Sequence, residues 1–357
     1  MNIFIRVDAS REIGSGHVIR CLTLAEEFKK ENHEVNFICR DLDGDLIDLI
    51  KEKGYQVYTL NGSYSQSYTL VTKHSQWLSV SWEKDVEQTK AILQNKNVTW
   101  LIIDHYAIDH RWEDEIRPFV DNIMVIDDLA DRKHNCDLLL DQNYYINKER
   151  RYIGLVPSRC KTLLGPQYAL LRDEFRQKTP RIRRELNRIL VFMGGSDPTN
   201  ETSKVIEGFL KLNNNSIELD VVVGKINRNA RNIRKICESN SNIRYYSNVS
   251  YISELMLKAD LAFGAGGSTT WERCSLGLPT AVMTIAHNQE LLTKHTALTG
   301  SIINVGKADQ VTSNKVANII KHFLGNPIEL SKMSRNSLQL VDILGVRKVV
   351  EQCILIK

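Results

Sequence analysis

Residues 3–17 read Ile3-Phe4-Ile5-Arg6-Val7-Asp8-Ala9-Ser10-Arg11-Glu12-Ile13-Gly14-Ser15-Gly16-His17, and their reading decides the fold class. The first five form a short, mostly apolar run of strand length. A polar turn with glycines at 14 and 16 follows. An amphipathic helix is then predicted over residues 17–30, with Val18, Cys21, Leu22, Leu24, Ala25 and Phe28 as its apolar positions. Glu34-Val35-Asn36-Phe37-Ile38-Cys39 supplies the next strand. Strand, glycine turn, helix and strand in that order favour a parallel sheet covered by helices.

Working outward, the rhythm continues. A helix is expected near residues 45–53 and a strand at 56–58. After a polar stretch at 61–69, a helix covers about 84–93, and apolar strands occupy 99–104 and 123–126. Shorter strands at 138–140 and 162–164 follow. Between 171 and 188 charge replaces the strand rhythm, with Pro180 and then Arg181, Arg183, Arg184 and Arg188, which reads as a solvated connector. The alternation restarts with a strand at 188–193, a helix at 199–212 and strands at 219–223, 260–263, 280–284 and 302–305. Helices at 315–324, 329–341 and 346–353 close it. The expectation is an α/β protein of two Rossmann-like, doubly wound domains, 1–175 and 186–345, with a linker at 176–185 and a C-terminal helix at 346–357. Ligands of such sheets bind beyond the carboxyl ends of the strands, and two sheets can face one another across a cleft.

Composition bounds the chemistry. The 357 residues carry 47 Lys plus Arg and 43 Asp plus Glu, a net charge of +4. That is too even for a dedicated nucleic-acid binder, so no nucleic-acid partner is expected. Seven cysteines are scattered without a C-x-x-C pair, which indicates neither a zinc ribbon nor a disulfide framework. They read as reduced thiols of a cytoplasmic protein. No signal peptide or membrane span is expected, because no long apolar stretch occurs.

Three glycine loops each follow a strand and open a helix. In Gly14-Ser15-Gly16-His17 the glycines let backbone N–H groups approach an anion. The third glycine of a dinucleotide fingerprint would fall at Ile19, and the Gly-Lys-Ser/Thr ending of a P-loop is missing, so NAD and ATP sites are disfavoured. His17 stands at a helix start, where the dipole favours a neutral ring able to accept a proton from water. Asp8 is the expected orienting carboxylate; the competing reading has His17 only cap the helix or line a cleft. In Met193-Gly194-Gly195-Ser196-Asp197-Pro198, Ser196 or Asp197 is expected to cap and Pro198 to take the first helical position. The anionic Asp197 weakens the case for phosphate there. Gly264-Ala265-Gly266-Gly267-Ser268-Thr269-Thr270-Trp271-Glu272 offers N–H groups and hydroxyls suited to a diphosphate. Glu272 either reaches ribose hydroxyls or merely favours the helix start. Asp104-His105-Tyr106 and Asn288-Gln289-Glu290 follow strands, as cleft residues or ordinary loop polarity. The histidines lack metal spacing, so neither a metal nor a cofactor is expected.

Taken in order, several segments resemble the PseG family of UDP-sugar hydrolases. They are Arg6 to Ser10, Ile13 to His17, Arg20-Cys21-Leu22, Ile102 to Tyr106, Tyr168 to Arg172 with Glu174-Phe175, Met193 to Asp197, and Asn288-Gln289-Glu290. The chain is also similar to the SpsG spore-coat polysaccharide proteins. The resemblance spans nearly the whole chain and implies the GT-B fold of MurG-like glycosyltransferases. It implies hydrolysis of a UDP-linked diacetamido-trideoxy-altrose in pseudaminic acid biosynthesis, by water attack at the anomeric carbon with C–O cleavage and inversion. By the same resemblance His17 is the general base, Tyr106 lies near the sugar and Asp8 supports the first loop. Gly14, Gly16 and Arg20 join the substrate-binding set, with Gly195 and Ser196. Gly267, Ser268 and Thr269 are assigned to the diphosphate and Glu272 to the ribose. Asn288, Gln289 and Glu290 fall near the sugar–diphosphate junction. Base and nucleotide grip lie in different domains, which implies closure during catalysis. Gly266-Gly267 makes the third loop more open than in some relatives. The expected partner is the UDP-sugar alone, bound by a monomer. Two other readings stay open: a GT-B glycosyltransferase passing the sugar to an acceptor, and a non-catalytic nucleotide-sugar binding protein. Such transferases tend to carry an apolar, basic membrane patch, for which the polar residues 61–69 are a poor candidate.

Overall fold

The computed structural model describes residues 1–62, 73–224 and 226–356, so most of the polar stretch at 61–69 lies outside the described residues. The chain divides into two compact units. The first comprises Met1–Asn143, Asn147–Leu170 and Leu344–Lys357; the second comprises Tyr144–Ile146 and Leu171–Ile343.

In the first unit the strands are β1 (Asn2–Val7), β2 (Glu34–Arg40), β3 (Gln56–Leu60), β4 (Val98–Asp104), β5 (Val120–Ile126), β6 (Leu138–Asp141) and β7 (Lys161–Leu164). Its helices are α1 (Gly16–Lys30), α2 (Ile47–Glu52), α3 (Trp82–Leu93) and α4 (His110–Ile116). Among the described residues the strands form one sheet in the order β3-β2-β1-β4-β5-β6-β7, and every pairing is parallel. Side chains alternate faces, as a period of two requires. Ile3, Ile5 and Val7 of β1 and Trp100 and Ile102 of β4 join the core beneath α1. Phe4, Leu101 and Ile103 join the core on the other face, with Val86 and Leu93 of α3. Burial on both faces is why these strands read as almost unbroken apolar runs.

In the second unit α5 (Asp173–Arg176) precedes β8 (Arg188–Phe192), α6 (Glu201–Leu210), β9 (Glu218–Val223), α7 (Ala230–Glu238) and β10 (Ile243–Ser247). Then come α8 (Ile252–Lys258), β11 (Leu261–Ala265), α9 (Thr269–Ser275), β12 (Thr280–Thr284), α10 (Asn288–Ala297) and β13 (Ile302–Lys307). The helices α11 (Ser313–Gly325) and α12 (Pro327–Leu340) complete it. The sheet order among described residues is β10-β9-β8-β11-β12-β13, again all parallel. Its order reverses between β8 and β11, the switch point at which doubly wound sheets bind ligands. The last helix, α13 (Gly345–Leu355), returns to the first unit. There Val346, Val349, Val350 and Cys353 enter the core beneath α1, and Trp100 Nε1 donates to the Cys353 carbonyl at 3.1 Å.

Two sequence expectations are corrected here. The arginine run is not a solvated connector: Arg183 is fully buried. Its guanidinium donates to the carbonyls of Met256, Leu257, Ala259 and Leu276. These lie where α8 and α9 end, and last-turn carbonyls lack intrahelical partners. Nor does Pro198 take the first helical position. Asp197 adopts a left-handed backbone (φ 42°), and α6 begins at Glu201. The Asp197 carboxylate accepts from Glu201 N at 2.8 Å and from Thr202 N at 3.0 Å.

Candidate functional site

In the first unit, His17 lies in the first turn of α1, above the carboxyl end of β4. Its Nδ1 is 2.6 Å from Asp104 Oδ1, and His17 is 8% exposed. With Nδ1–H donating to the carboxylate, Nε2 is the nitrogen left to take a proton, a tautomer assigned from the hydrogen-bond network. Arg20, one turn on, grips the same carboxylate through Nε and Nη2, both at 2.6 Å. Burial alone would raise the Asp104 carboxyl, but Arg20 and then His17 hold it well below the usual range. It therefore stays ionised and fixes the ring. Arg20 Nη1 also reaches Asp128 at 3.0 Å, and Asp128 accepts from the Tyr106 hydroxyl. The Tyr106 ring meets His17 edge-on with centroids 4.7 Å apart and stacks on Trp77 at 5.3 Å. The result is an imidazole with a carboxylate behind it and an aromatic wall beside it.

Asp8 is not the residue that orients His17. β1 alternates, so Phe4, Arg6 and Asp8 project to the α3 face, while Asp104 shares the α1 face with Trp100 and Ile102. Asp8 instead accepts from Arg6 Nη1 at 2.5 Å and from Arg40 N at 2.7 Å, and its Oδ2 lies 3.2 Å from His105 Nε2. Asp85 closes this buried cluster, accepting from Arg6, Arg40 and Trp112. Burial raises the Asp8 carboxyl, but Arg6 and then His105 outweigh it and depress it strongly. A depressed carboxyl contributes stability above its unfolded value near pH 4 that is lost as pH falls. Asp8→Asn is therefore expected to cost about 3–5 kcal/mol of stability near neutral pH, because it leaves buried Arg6 partly uncompensated. Denaturant melts at stepped pH should show the gap between wild type and variant starting to narrow below about pH 4 and still open at about pH 3, because the folded-state carboxyl is depressed well below that.

In the second unit, three loops stand at the carboxyl ends of β8, β11 and β12. Gly224, just past β9, lets the backbone approach the first of these loops more closely than a side chain would allow: a Cβ on Gly224 would lie 2.2 Å from the Gly195 carbonyl oxygen. Asp197 already occupies the N–H groups of Glu201 and Thr202 at the start of α6, while Gly195 and Ser196 stand exposed. The loop after β11 is more open. Gly267 has φ 114°, a conformation that favours glycine, and the Ser268 side chain caps nothing at the start of α9. Glu272 is 7% exposed; Oε1 accepts from Arg172 Nε at 2.8 Å, and Oε2 has no hydrogen-bond partner among the described residues. Gln289 packs against Gly266, where a Cβ would lie 3.1 Å from its own. Asn288 opens α10. Glu290 turns to Lys307 at 2.9 Å and His287 at 3.0 Å, and first Lys307, then His287, lower its carboxyl.

The sequence reading therefore named His17, Arg20, Tyr106 and Glu272, but it gave the orienting carboxylate to the wrong aspartate and passed over Asp128 and Trp77. Asp104 was findable from strand parity, and Asp128 from its place just past the end of β5. Trp77 sits on a single 3-10 turn, Ser75–Leu78, too short to leave a periodic signal. Among the described residues, no group of three or more His, Cys, Asp or Glu side chains is arranged to hold a metal ion. No helix among them is long and apolar enough to cross a membrane.

The fold itself is a known one, the GT-B fold. Residues 189–352 match the glycosyltransferase family 28 C-terminal domain. The chain has the fold of the MurG structure from Acinetobacter baumannii, with a TM-score of 0.68 at 13% identity over 99% of both chains. It is similarly close to the UDP-GlcNAc 2-epimerase of Neisseria meningitidis, solved bound to UDP-GlcNAc, with a TM-score of 0.65 at 13% identity over the whole of both chains. Beyond that shared GT-B fold, the chain is similar to PseG-type and SpsG-type proteins. It is 29% identical over 291 residues to the UDP-2,4-diacetamido-2,4,6-trideoxy-beta-L-altropyranose hydrolase of Campylobacter jejuni, covering 81% of this chain and 94% of that one. It is 22% identical to the spore coat polysaccharide biosynthesis protein SpsG of Bacillus subtilis, over 98% and 96% of the two chains.

Proposed function

We propose that this protein is a UDP-sugar hydrolase, releasing UDP and a free sugar, with the same diacetamido-trideoxy-altrose substrate as its Campylobacter relative. The observation that carries the reading is the His17–Asp104 pair, with its ring nitrogen Nε2 left to accept a proton. In the proposed step Nε2 takes a proton from water as the water oxygen bonds to the anomeric carbon. The bond from that carbon to the diphosphate oxygen breaks, and configuration inverts. Asp104 and Arg20 keep the ring in place, and the carboxylate stabilises the imidazolium that forms. Charge developing on the leaving diphosphate is met by N–H groups and hydroxyls of the 264–269 loop, Ser268 and Thr269 among them. Glu272 takes the ribose through Oε2, and Gln289 lies beside the diphosphate, with Asn288 and Glu290 flanking it in the first turn of α10. The reading includes a cytoplasmic protein acting as a monomer.

The family 28 match favours one competitor, a glycosyltransferase that uses the same donor. Acceptor-free turnover separates them. The purified chain is expected to release UDP and free sugar in equal amounts from the diacetamido substrate, and far more slowly from UDP-GlcNAc. Release only after an acceptor is added would favour the transferase.

A further inference from the structure

Arg273 is 1% exposed, yet no carboxylate forms an ion pair with it among the described residues. The carboxylate of its neighbour Glu272 is directed to Arg172 instead. Its Nη1 donates to Thr269 Oγ1 at 3.2 Å, and its Nη2 donates to the Ala265 carbonyl at 2.8 Å and to Thr270 Oγ1 at 3.2 Å. Nε has no partner. The guanidinium fills the space that a side chain at 264 would need, since a Cβ on Gly264 would lie 2.4 Å from Nη1. A buried cation without a counter-charge is costly, and proteins rarely keep one without a compensating group. Burial pulls its pKa down to about 10, which leaves it charged at neutral pH.

Arg183 makes the contrast. It too is buried without a carboxylate partner among the described residues, but helix-end carbonyls surround it on several sides. Arg273 has one carbonyl and two hydroxyls. Those hydroxyls carry a second consequence. A guanidinium cannot accept a hydrogen bond, so Thr269 must spend its own proton elsewhere. Thr269 is only half-buried, so that proton is available to a ligand at the loop.

We propose that Arg273 is a positioning residue for the diphosphate of UDP: its buried charge is completed by the bound anion, and it holds the Thr269 hydroxyl as a donor toward it. This rests on the reading of the second unit as the nucleotide-binding one. The ligand distinguished is a nucleoside diphosphate, as opposed to the nucleoside alone, because the effect acts through negative charge.

The test uses the full chain with UDP and uridine as probes, compared by calorimetric titration or competition, for wild type, Arg273→Met and Arg273→Lys. Arg273→Met is expected to weaken UDP by about 30-fold or more while uridine changes less than about threefold. Arg273→Lys restores the charge but not the fork, and should fall between, about five- to tenfold weaker for UDP. UDP binding within threefold of wild type in both variants overturns the proposal, as does an equal loss for UDP and uridine, which would mark Arg273 as a structural support of the loop. If Arg273→Met does not fold, the lysine variant carries the same two criteria. A wild type that binds neither probe would defeat the nucleotide reading itself, and this proposal with it; UDP bound alike by wild type and variants would defeat this proposal alone.

Discussion

His17→Gln is expected to lower turnover by about 10³-fold or more while the affinity for UDP stays within about twofold. The glutamine amide fills similar space but cannot take a proton from water near neutral pH. His17 lies in the first unit, whereas the loops proposed to hold UDP lie in the second, so nucleotide affinity should survive. Steady-state rates beside calorimetric UDP titrations check both halves. Parallel loss of turnover and of UDP affinity would make His17 a structural residue.

Asp104→Asn should cost turnover by about 10²–10⁴-fold, with a smaller change in KM. The carboxylate accepts from His17 Nδ1 at 2.6 Å, which keeps the proton there. An asparagine that turns its amide nitrogen toward the ring drives the proton to Nε2, the atom meant to receive one. Arg20 loses the partner it now grips through Nε and Nη2, so the helix start loosens as well. Asp104→Glu keeps the charge but displaces it, and is expected to recover part of the rate. A pH–rate profile separates the wrong-tautomer account from simple unfolding, because only the former alters the acidic limb, on which a general base is lost by taking up a proton, while the melting curve stays cooperative.

How far the sequence carried these conclusions depends on what each residue's neighbours are. Strands such as β4 and β12 are buried on both faces and therefore announce themselves. Edge strand β10 is partly exposed, and its Ile243-Arg244-Tyr245-Tyr246-Ser247 gives no apolar run. The short helix α4 carries five charged or titratable residues in seven positions and has little periodic signal. The glycine loops were legible because glycine at those turns answers a local backbone need. The Asp8 assignment failed because closeness in sequence to His17 stood in for geometry. Counting alternate positions along β1 and β4 would have placed Asp104, not Asp8, beneath α1. Asp197 and Arg183 were obscured for a related reason: each satisfies backbone groups, and the identity of those groups depends on tertiary structure. Arg273 gave no sequence signal, since an arginine on a helix beside a glutamate ordinarily reads as surface charge.

The central claim is that water, activated at His17, attacks the anomeric carbon. Turnover of the UDP-sugar in water labelled with heavy oxygen, without acceptor, tests it most directly by mass spectrometry of both products. The account predicts one labelled oxygen in the free sugar and none in UDP. Label in the UDP phosphate would mean attack at phosphorus, and would contradict both the proposed bond cleavage and the role given to His17.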